Sequence, residues 1–339
     1  MLIRVPDYYD RFRCLAGACP HTCCEAWEVV IDGETAARYQ ELSGPLGEKL
    51  RQAMAVDEEG DVCFPLSGGR CPFLDGENLC EIHRELGEEA TSVTCQEHPR
   101  FTEDYGSFRE ISLSASCPAA NALLLGSSQT LTFHTWETAE DGEESDPWTE
   151  ALLPVREQML TLLADRSKQL RKRLADVLLL AAAAQELLDQ EEIGKLPALA
   201  SSWQPKPWAA ENGGIFPAVL HVLKGLDILD PAWQTLLDRT EKTALIPVPE
   251  NLLERTAAYF IFRYPLKAVN DGDLLGRTAF CALAVLTVER AAAVCGLPEA
   301  LRQFSREIEH SPENLEAIQD AFWSHPGLQL PQLLGELAR

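Results

Sequence analysis

Residues 12–27 read FRCLAGACPHTCCEAW, a stretch that contains Cys14, Cys19, Cys23 and Cys24 in the spacing Cys-x4-Cys-x3-Cys-Cys. Thiolates are soft donors that select zinc and iron–sulfur clusters. Closely spaced cysteines on a loop rich in glycine and proline can curl around one ion or cluster. Adjacent thiols are rarely both core filler. The stretch therefore predicts that the N-terminal third of the chain folds around a metal centre.

Other cysteines extend this pattern downstream. They lie in the segments 71–80, which begins Cys-Pro-Phe-Leu-Asp, 94–100, which reads TCQEHPR, and 112–118, which reads SLSASCP. The predicted metal ligands are Cys14, Cys19, Cys23, Cys24, Cys71, Cys80, Cys95 and Cys117. These eight thiols can fill two four-thiolate sites, or one complete cluster and one site with an open position. Their spacing differs from that of a zinc ribbon, so it does not decide between iron and zinc.

The remaining cysteines are predicted to have no metal role. Cys63 has no place in the pattern. Cys281 and Cys295 lie in apolar, helical contexts and are predicted to be buried small hydrophobes.

Composition limits the class of protein. The chain has 339 residues and a net charge of −24, from 29 basic and 53 acidic side chains. Such a surface repels nucleic acid and anionic membranes, so neither is an expected partner. We find no leader-like segment at the N-terminus and no apolar run of membrane-spanning length. We therefore predict a cytoplasmic protein, in which dense cysteine indicates metal rather than disulfides. The oligomeric state stays open.

The pattern along the chain predicts a mainly α fold with two domains. Residues 1–136 are expected to form a small, irregular, Cys-rich metal-binding domain, with helices at 33–54 and 80–86 and strands at 27–31 and 130–136. The acidic segment 137–146 reads as a linker. Residues 147–339 are expected to form an all-helical bundle. Its predicted helices are 151–188 with a break near Asp165, 218–229, 231–242, 251–263, 274–295, 301–310 and 312–323.

In these cysteine segments the sequence resembles the flagellin lysine N-methylases, within a wider group of small Cys-rich proteins. The matching pieces are residues 12–14, 19–27, 71–80, 94–100 and 112–118, in that order. The intervals are longer than in the wider group's motif, and the C-terminal helices have no matching motif. The resemblance implies methyl transfer from S-adenosylmethionine to lysine ε-amines of flagellin. It also implies a required [4Fe–4S] cluster, with the eight patterned cysteines supplying the metal chemistry.

A lysine methyltransferase must remove a proton from its substrate, because the pKa of a free lysine is about 10.4. Among the acidic and histidine side chains near the motifs (Glu25, Asp75, His83, Glu97 and His98), we favour His98 and Glu97 as catalytic residues. They share the 95–100 segment, where a metal would fix their positions. Arg100 is predicted either to bind the carboxylate of the methyl donor or to neutralise a thiolate-bound cluster.

The methyl-donor site is not indicated by any standard motif. No Gly-x-Gly-x-x-Gly follows a strand, so the doubly wound methyl-donor fold is not expected. The donor would bind to an open iron position or in a pocket between the two domains. An iron–sulfur or zinc-binding redox carrier or scaffold without methyl transfer is the alternative. Trp203 and Trp208 are expected to pin the loop 201–217 to the bundle. The remaining histidines are predicted to be structural or exposed: His134, His221, His310 and His325.

Overall fold

The computed structural model describes residues 1–25, 27, 29–57, 60–208 and 214–339. The mainly α prediction is confirmed, since fifteen α-helices lie in this part of the chain. The N-terminal third is more regular than expected, because it also contains two small sheets. Its strands are β1 (Leu2–Pro6), β2 (Val29–Val30), β3 (Ala55–Val56), β4 (Val62–Phe64), β5 (Arg100–Asp104), β6 (Phe108–Leu113) and β7 (Phe133–Glu137).

The helices of the N-terminal third are short, and those after residue 146 form the bundle. They are α1 (Gly33–Glu41), α2 (Gly44–Ala53), α3 (Glu81–Leu86), α4 (Val93–Glu97), α5 (Pro118–Leu125), α6 (Pro147–Ala164), α7 (Leu170–Asp189), α8 (Leu196–Ser202), α9 (Phe216–Lys224), α10 (Pro231–Lys242), α11 (Glu250–Arg263), α12 (Leu274–Cys295), α13 (Leu297–Phe304), α14 (Pro312–Ser324) and α15 (Leu330–Leu337). A π-helical turn, Ser305–Glu309, follows α13.

Most bundle helices lie where the leucine periodicity predicts them, and α10 and α12 have the predicted bounds. The predicted helix 33–54 is instead two helices. Gly44 has a φ of +89° and Pro45 lies in the first turn of α2, so the chain turns between Leu42 and Gly44 before the helix restarts. Trp203 is buried and Trp208 packs against the bundle core, as expected. Residues 209–213 of the same loop lie outside the described residues.

Helix α12 is the centre of the bundle. Among the described helices it alone is long and apolar enough to span a membrane by composition, and 72% of its apolar window is buried inside the protein. A helix that is hydrophobic all round is expected at the core of a large domain. Its length and composition are therefore explained by packing.

The four-stranded sheet has the order β5-β6-β1-β7 and shares its core with the bundle. Tyr8, Tyr105, Phe108 and Leu113 from this part of the chain pack in the same buried cluster as the bundle helices. A second, smaller core lies under the three-stranded sheet β2-β4-β3 and contains Leu50, Phe64 and Phe73, among others. Apolar packing therefore crosses the predicted boundary at residues 137–146. The second core is formed by residues between Cys24 and Ala90, and we call this part of the chain the Cys-rich module.

A buried ion pair joins the sheet to the bundle. The Arg156 guanidinium on α6 donates to both carboxylate oxygens of Glu110 on β6, at 2.6 and 2.9 Å. Arg156 is 0% and Glu110 is 3% exposed. Arg156 also donates to the Phe262 carbonyl at 2.9 Å. A buried charge is tolerated because its hydrogen-bonding groups find partners.

We expect Glu110→Ala to lower the free energy of unfolding by about 3 kcal/mol, the lower end of the range for a buried pair, because it leaves the buried Arg156 guanidinium with Glu157 as its remaining carboxylate partner. Urea unfolding followed by circular dichroism measures the change. Glu140→Ala is the matched control, since Glu140 pairs with Arg109 at 3.3 Å at the surface and is 62% exposed. Equal stability of the two variants would contradict the structural importance of the buried pair.

Candidate functional site

The topology of the four-stranded sheet gathers several predicted motifs at one end. Strand β1 is parallel to β6, and β5 is antiparallel to β6. The carboxyl ends of β1 and β6 and the amino end of β5 therefore meet. Cys14 follows β1, Cys95 and His98 precede β5, and Cys117 follows β6. Residues far apart in the sequence are thus brought to one edge.

Local hydrogen bonds bring the two central cysteine motifs together. The Cys71 N–H donates to the Cys24 carbonyl at 2.8 Å, which joins the first motif to the second. Leu74 pairs with Cys80 across a tight hairpin. The Asp75 carboxylate closes this hairpin by accepting backbone N–H bonds at 2.9 Å. A single Asp-centred turn thus returns Cys80 to the neighbourhood of Cys71.

The thiols of Cys24, Cys71, Cys80 and Cys95 form one electrostatic set, which we call the module set. Burial raises the pKa of Cys71 to about 12. Desolvation by neighbouring groups also raises the pKa of Cys95, to about 11, although this thiol lies at the surface. Burial also raises the pKa of Cys80. Charge on Cys24 raises all three further, and charge on Cys80 raises those of Cys71 and Cys95. The four thiols therefore influence one another through their charges.

The thiols of Cys14, Cys19, Cys23 and Cys117 form a second set, which we call the sheet-end set. Burial raises the pKa of Cys117, and charges on Cys19 and Cys14 raise it further. Cys23 interacts with Cys14 and also with the module set. Its thiol donates a hydrogen bond to the Cys24 sulfur, which lowers the pKa of Cys24 and raises that of Cys23. The adjacent cysteines therefore connect the two sets.

Backbone amides point at many of these sulfurs. Cys80 and Cys117 are the N-cap residues of α3 and α5, where free N–H groups favour a thiolate. The Ala16 N–H donates a hydrogen bond to the Cys14 sulfur at 3.4 Å. Nearby backbone N–H groups also act to lower the pKa values of four further thiols, Cys19, Cys71, Cys80 and Cys117.

The eight thiols are chemically suited to bind a soft metal ion. All eleven cysteines are free thiols, so none of the eight is committed to a disulfide. Two sets of four sulfurs with amide donors fit thiolate-bound iron or zinc. Among the described residues, no three Cys, His, Asp or Glu side chains are arranged to coordinate one ion. Metal binding therefore stays a prediction, and it would need movement of the thiol side chains. Cys63 lies buried in β4, and Cys281 is buried in α12 as predicted.

A cluster of aromatic and imidazole rings lies between the Cys-rich region and the bundle. The Trp27 ring stacks on His310, with centroids 5.1 Å apart, and lies 6.3 Å from His98. The two imidazoles are 6.0 Å apart. Phe101 on β5 lies 5.1 Å from His310. The predicted catalytic residue His98 thus has a second histidine as its neighbour.

His310 follows the π-helical turn, and two serine hydroxyls fix the position of its imidazole. Its Nε2 atom is 2.9 Å from the hydroxyl oxygens of both Ser114 and Ser116. Burial lowers the pKa of His98 and of His310 to about 4. Both imidazoles are therefore neutral near pH 7 and are weak bases in the free chain. No local pattern pairs His310 with His98, because only long-range folding brings them together.

Glu97 and Arg100 flank His98 and differ in their surroundings. Glu97 is exposed at the end of α4. The Arg100 guanidinium donates to the Tyr9 hydroxyl and to the Gln96 carbonyl, each at 3.2 Å. It also lies 5.7 Å from the centre of the Phe12 ring. Arg100 thus ties the segment before Cys14 to the helix that contains Cys95. Its predicted contact with a methyl donor or cluster stays a prediction.

The other proton acceptors considered in the sequence have different partners. Glu25 forms an ion pair with Arg70 at 3.2 Å, and Asp75 pairs with Arg84 beside the hairpin. His83 is exposed on α3. Of the five candidates, His98 is the one in contact with the ring cluster.

Comparison with known proteins finds three similar curated proteins. The chain is 27% identical over 170 residues to the Lysine-N-methylase of Salmonella typhimurium and 26% identical over 170 residues to that of Salmonella choleraesuis. Each alignment covers 46% of this chain and 40% of the relative. The Flagellar biosynthetic protein FliU of Salmonella muenchen is 29% identical over 126 residues, which are 35% of this chain and 75% of the relative.

The chain spans about two fifths of the length of the two lysine-N-methylases that it matches. No family model and no solved structure matches it. The three relatives confirm the resemblance to the flagellin lysine N-methylases that the cysteine segments indicate.

The buried histidines predict a defined dependence of stability on pH. Their pKa of about 4 in the folded protein lies below the value of about 6.5 in an unfolded chain, so the unfolded state binds more protons between these values. The free energy of unfolding should fall as pH decreases from about 6.5 to about 4, by up to ~1.4 kcal/mol per pH unit for each histidine.

Urea unfolding at a series of pH values measures this slope. We expect His98→Gln and His310→Gln each to reduce it, and His83→Gln, at an exposed position, to leave it unchanged. An imidazole NMR titration of His98 or His310 with a midpoint near 6.5 would contradict the interpretation.

Proposed function

We propose that this chain is a protein-lysine N-methyltransferase that uses S-adenosylmethionine as methyl donor and flagellin as protein substrate. The names of the curated relatives support this activity and a flagellar substrate. The feature of this chain that supports it most is the topology of the sheet, which brings the segments of Cys14, Cys95, His98 and Cys117 to one end.

The proposal includes a [4Fe–4S] cluster bound by thiolates. The module set (Cys24, Cys71, Cys80 and Cys95) has the four donors that one cluster requires. The sheet-end set (Cys14, Cys19, Cys23 and Cys117) could hold a second cluster or a zinc ion. If one of the four thiols of the module set were not a ligand, the cluster would keep a free position that could accept the amino and carboxylate groups of the methyl donor.

The protein's own residues would manage the proton and the orientation of the lysine. The substrate ammonium must first lose a proton. His98 would accept it only if bound substrate raised the low pKa that this imidazole has in the free chain. The lysine nitrogen then forms a bond to the methyl carbon, while the carbon–sulfur bond breaks and its electron pair stays on sulfur. S-adenosylhomocysteine is the second product. Trp27 and Phe101 would exclude water from this position, because their rings pack around the imidazoles.

Metal analysis of protein purified without oxygen tests the cofactor. We expect about equal amounts of iron and acid-labile sulfide and a brown visible absorption. Cys80→Ser should lose the iron of the module set, and Cys117→Ser should affect only the sheet-end set. Cys295→Ser, on α12, is the control and should keep the full content. Stoichiometric zinc without iron would contradict the cluster and favour a zinc-bound scaffold.

A methyl-transfer assay with labelled S-adenosylmethionine tests the activity. We expect Cys23→Ala to abolish transfer to a lysine-containing protein. We expect His98→Gln to lower kcat about a hundredfold, the lower end of the effect of a general base. His83→Gln is the matched control and should retain activity. If His98→Gln keeps full activity while Glu97→Gln loses it, the proton acceptor is Glu97. If the wild-type protein binds iron and sulfide but transfers no methyl group, it is a redox or carrier protein.

A further inference from the structure

We propose that the outer edge of β7 binds an extended, lysine-bearing segment of the protein substrate. This inference rests on the proposed lysine methyltransferase function. Strand β7 is at one edge of the four-stranded sheet and, within the described part of the chain, pairs with β1 alone. Thr135, Trp136 and Glu137 are exposed. An edge strand presents unpaired backbone groups that can form hydrogen bonds with an added strand.

An exposed aromatic cluster lies on this strand. The Trp136 side chain is 38% exposed, and its ring lies 6.4 Å from that of Tyr9 and 5.7 Å from that of His134. Asp10, which is 70% exposed, lies 3.1 Å from His134. Aromatic faces with a nearby carboxylate attract ammonium groups and pack against aliphatic stems. The cluster therefore suits a lysine side chain.

The strand continues into a strongly acidic segment. Residues 137–146 contain six acidic side chains and no basic one: Glu137, Glu140, Asp141, Glu143, Glu144 and Asp146. Backbone contacts hold this segment against the turn between β5 and β6. A side chain at Gly106 would come within 2.6 Å of the Glu144 carbonyl oxygen, and the Ser145 and Ser107 hydroxyls are 2.6 Å apart. The charge of the segment is complementary to a cationic substrate.

The direction of β7 relates these two features to the candidate site. Its first residue, Phe133, pairs with Pro6, at the end of β1 that leads to Cys14. Tyr9 accepts the hydrogen bond from Arg100 at the same end. The acidic segment begins at the opposite end of β7. At about 3.3 Å per residue, a bound strand would span the two ends with roughly five residues. The preferred substrate segment therefore has two lysines about five residues apart, one near the site and one near the acidic segment.

Peptide binding to the full chain tests this surface. The probe is a fluorescent 12-residue peptide with two lysines five residues apart, compared with the same peptide carrying glutamines. Fluorescence anisotropy gives the Kd at low and at moderate salt. We expect Trp136→Ala, and separately the triple change Glu137→Gln, Glu143→Gln and Glu144→Gln, to weaken binding about tenfold. The control triple change Glu186→Gln, Glu316→Gln and Asp320→Asn removes the same charge from exposed bundle positions and should alter Kd less than twofold.

Three results would overturn the proposal. The first is an unchanged peptide Kd in both edge variants, and the second is an equal loss of peptide binding in the control triple variant. The third is a change of oligomeric mass in the edge variants, which would assign the edge to a second copy of this chain. Methyl transfer to the same peptide is measured in parallel. Intact binding without methyl transfer by the wild-type protein would contradict the enzyme function alone. Full transfer by the edge variants at unchanged KM would contradict the binding surface alone.

Discussion

The buried ion pair between Arg263 and Glu309 holds the candidate site together. Arg263, at the end of α11, lies 3.1 Å from the Glu309 carboxylate in the π-helical turn. The same guanidinium donates to the Ser112 hydroxyl on β6 and lies 3.9 Å from the centre of the Phe101 ring on β5. The hydroxyls of Tyr259 and Tyr264 donate to Glu309 at 2.7 and 2.9 Å. One cation thus fixes the sheet, a bundle helix and the turn that leads to His310. Such a buried ion pair is costly to disrupt, since loss of either charge leaves the other buried without its ionic partner.

Two opposing effects set the pKa values of the thiols in the candidate site. Burial and mutual repulsion disfavour the thiolate form, whereas backbone N–H groups and helix N-termini favour it. The balance leaves most of the thiols protonated in the absence of a cation, because the pKa values of Cys71, Cys80, Cys95 and Cys117 are all raised. A bound metal would reverse this balance by removing the protons. Metal binding, proton release and the ordering of the Cys-rich module are therefore expected to be coupled.

The parts of this architecture that could be predicted from sequence are those with local signals. Leucine periodicity was enough for α10 and α12, and the spacing of the cysteines singled out eight thiols as metal ligands without indicating how they are grouped. The four-stranded sheet was largely missed because two inward-facing positions of β6 are polar, Glu110 and Ser112. Their burial depends on Arg156 and Arg263, which come from distant helices. The contact between His98 and His310 was not predicted for the same reason, since the π-helical turn places His310 beside His98 only in the folded chain. Long-range pairing of charged and polar groups produces no periodic pattern in the sequence.

The position of the Cys-rich module in the chain allows the lengths of its segments to vary. The chain leaves the four-stranded sheet after Pro6 and returns to it at Arg100. The module is therefore inserted between β1 and β5, the two strands that flank β6. Arg100 closes the base of this insertion through Tyr9 and Gln96. Segments within it can lengthen or shorten without shifting the register of the sheet, because loop length alters closure entropy only slowly. The long intervals between the motifs from Cys24 to Cys95 can therefore vary without altering the four-stranded sheet. The interval from Cys95 to Cys117 differs, because it contains β5 and β6.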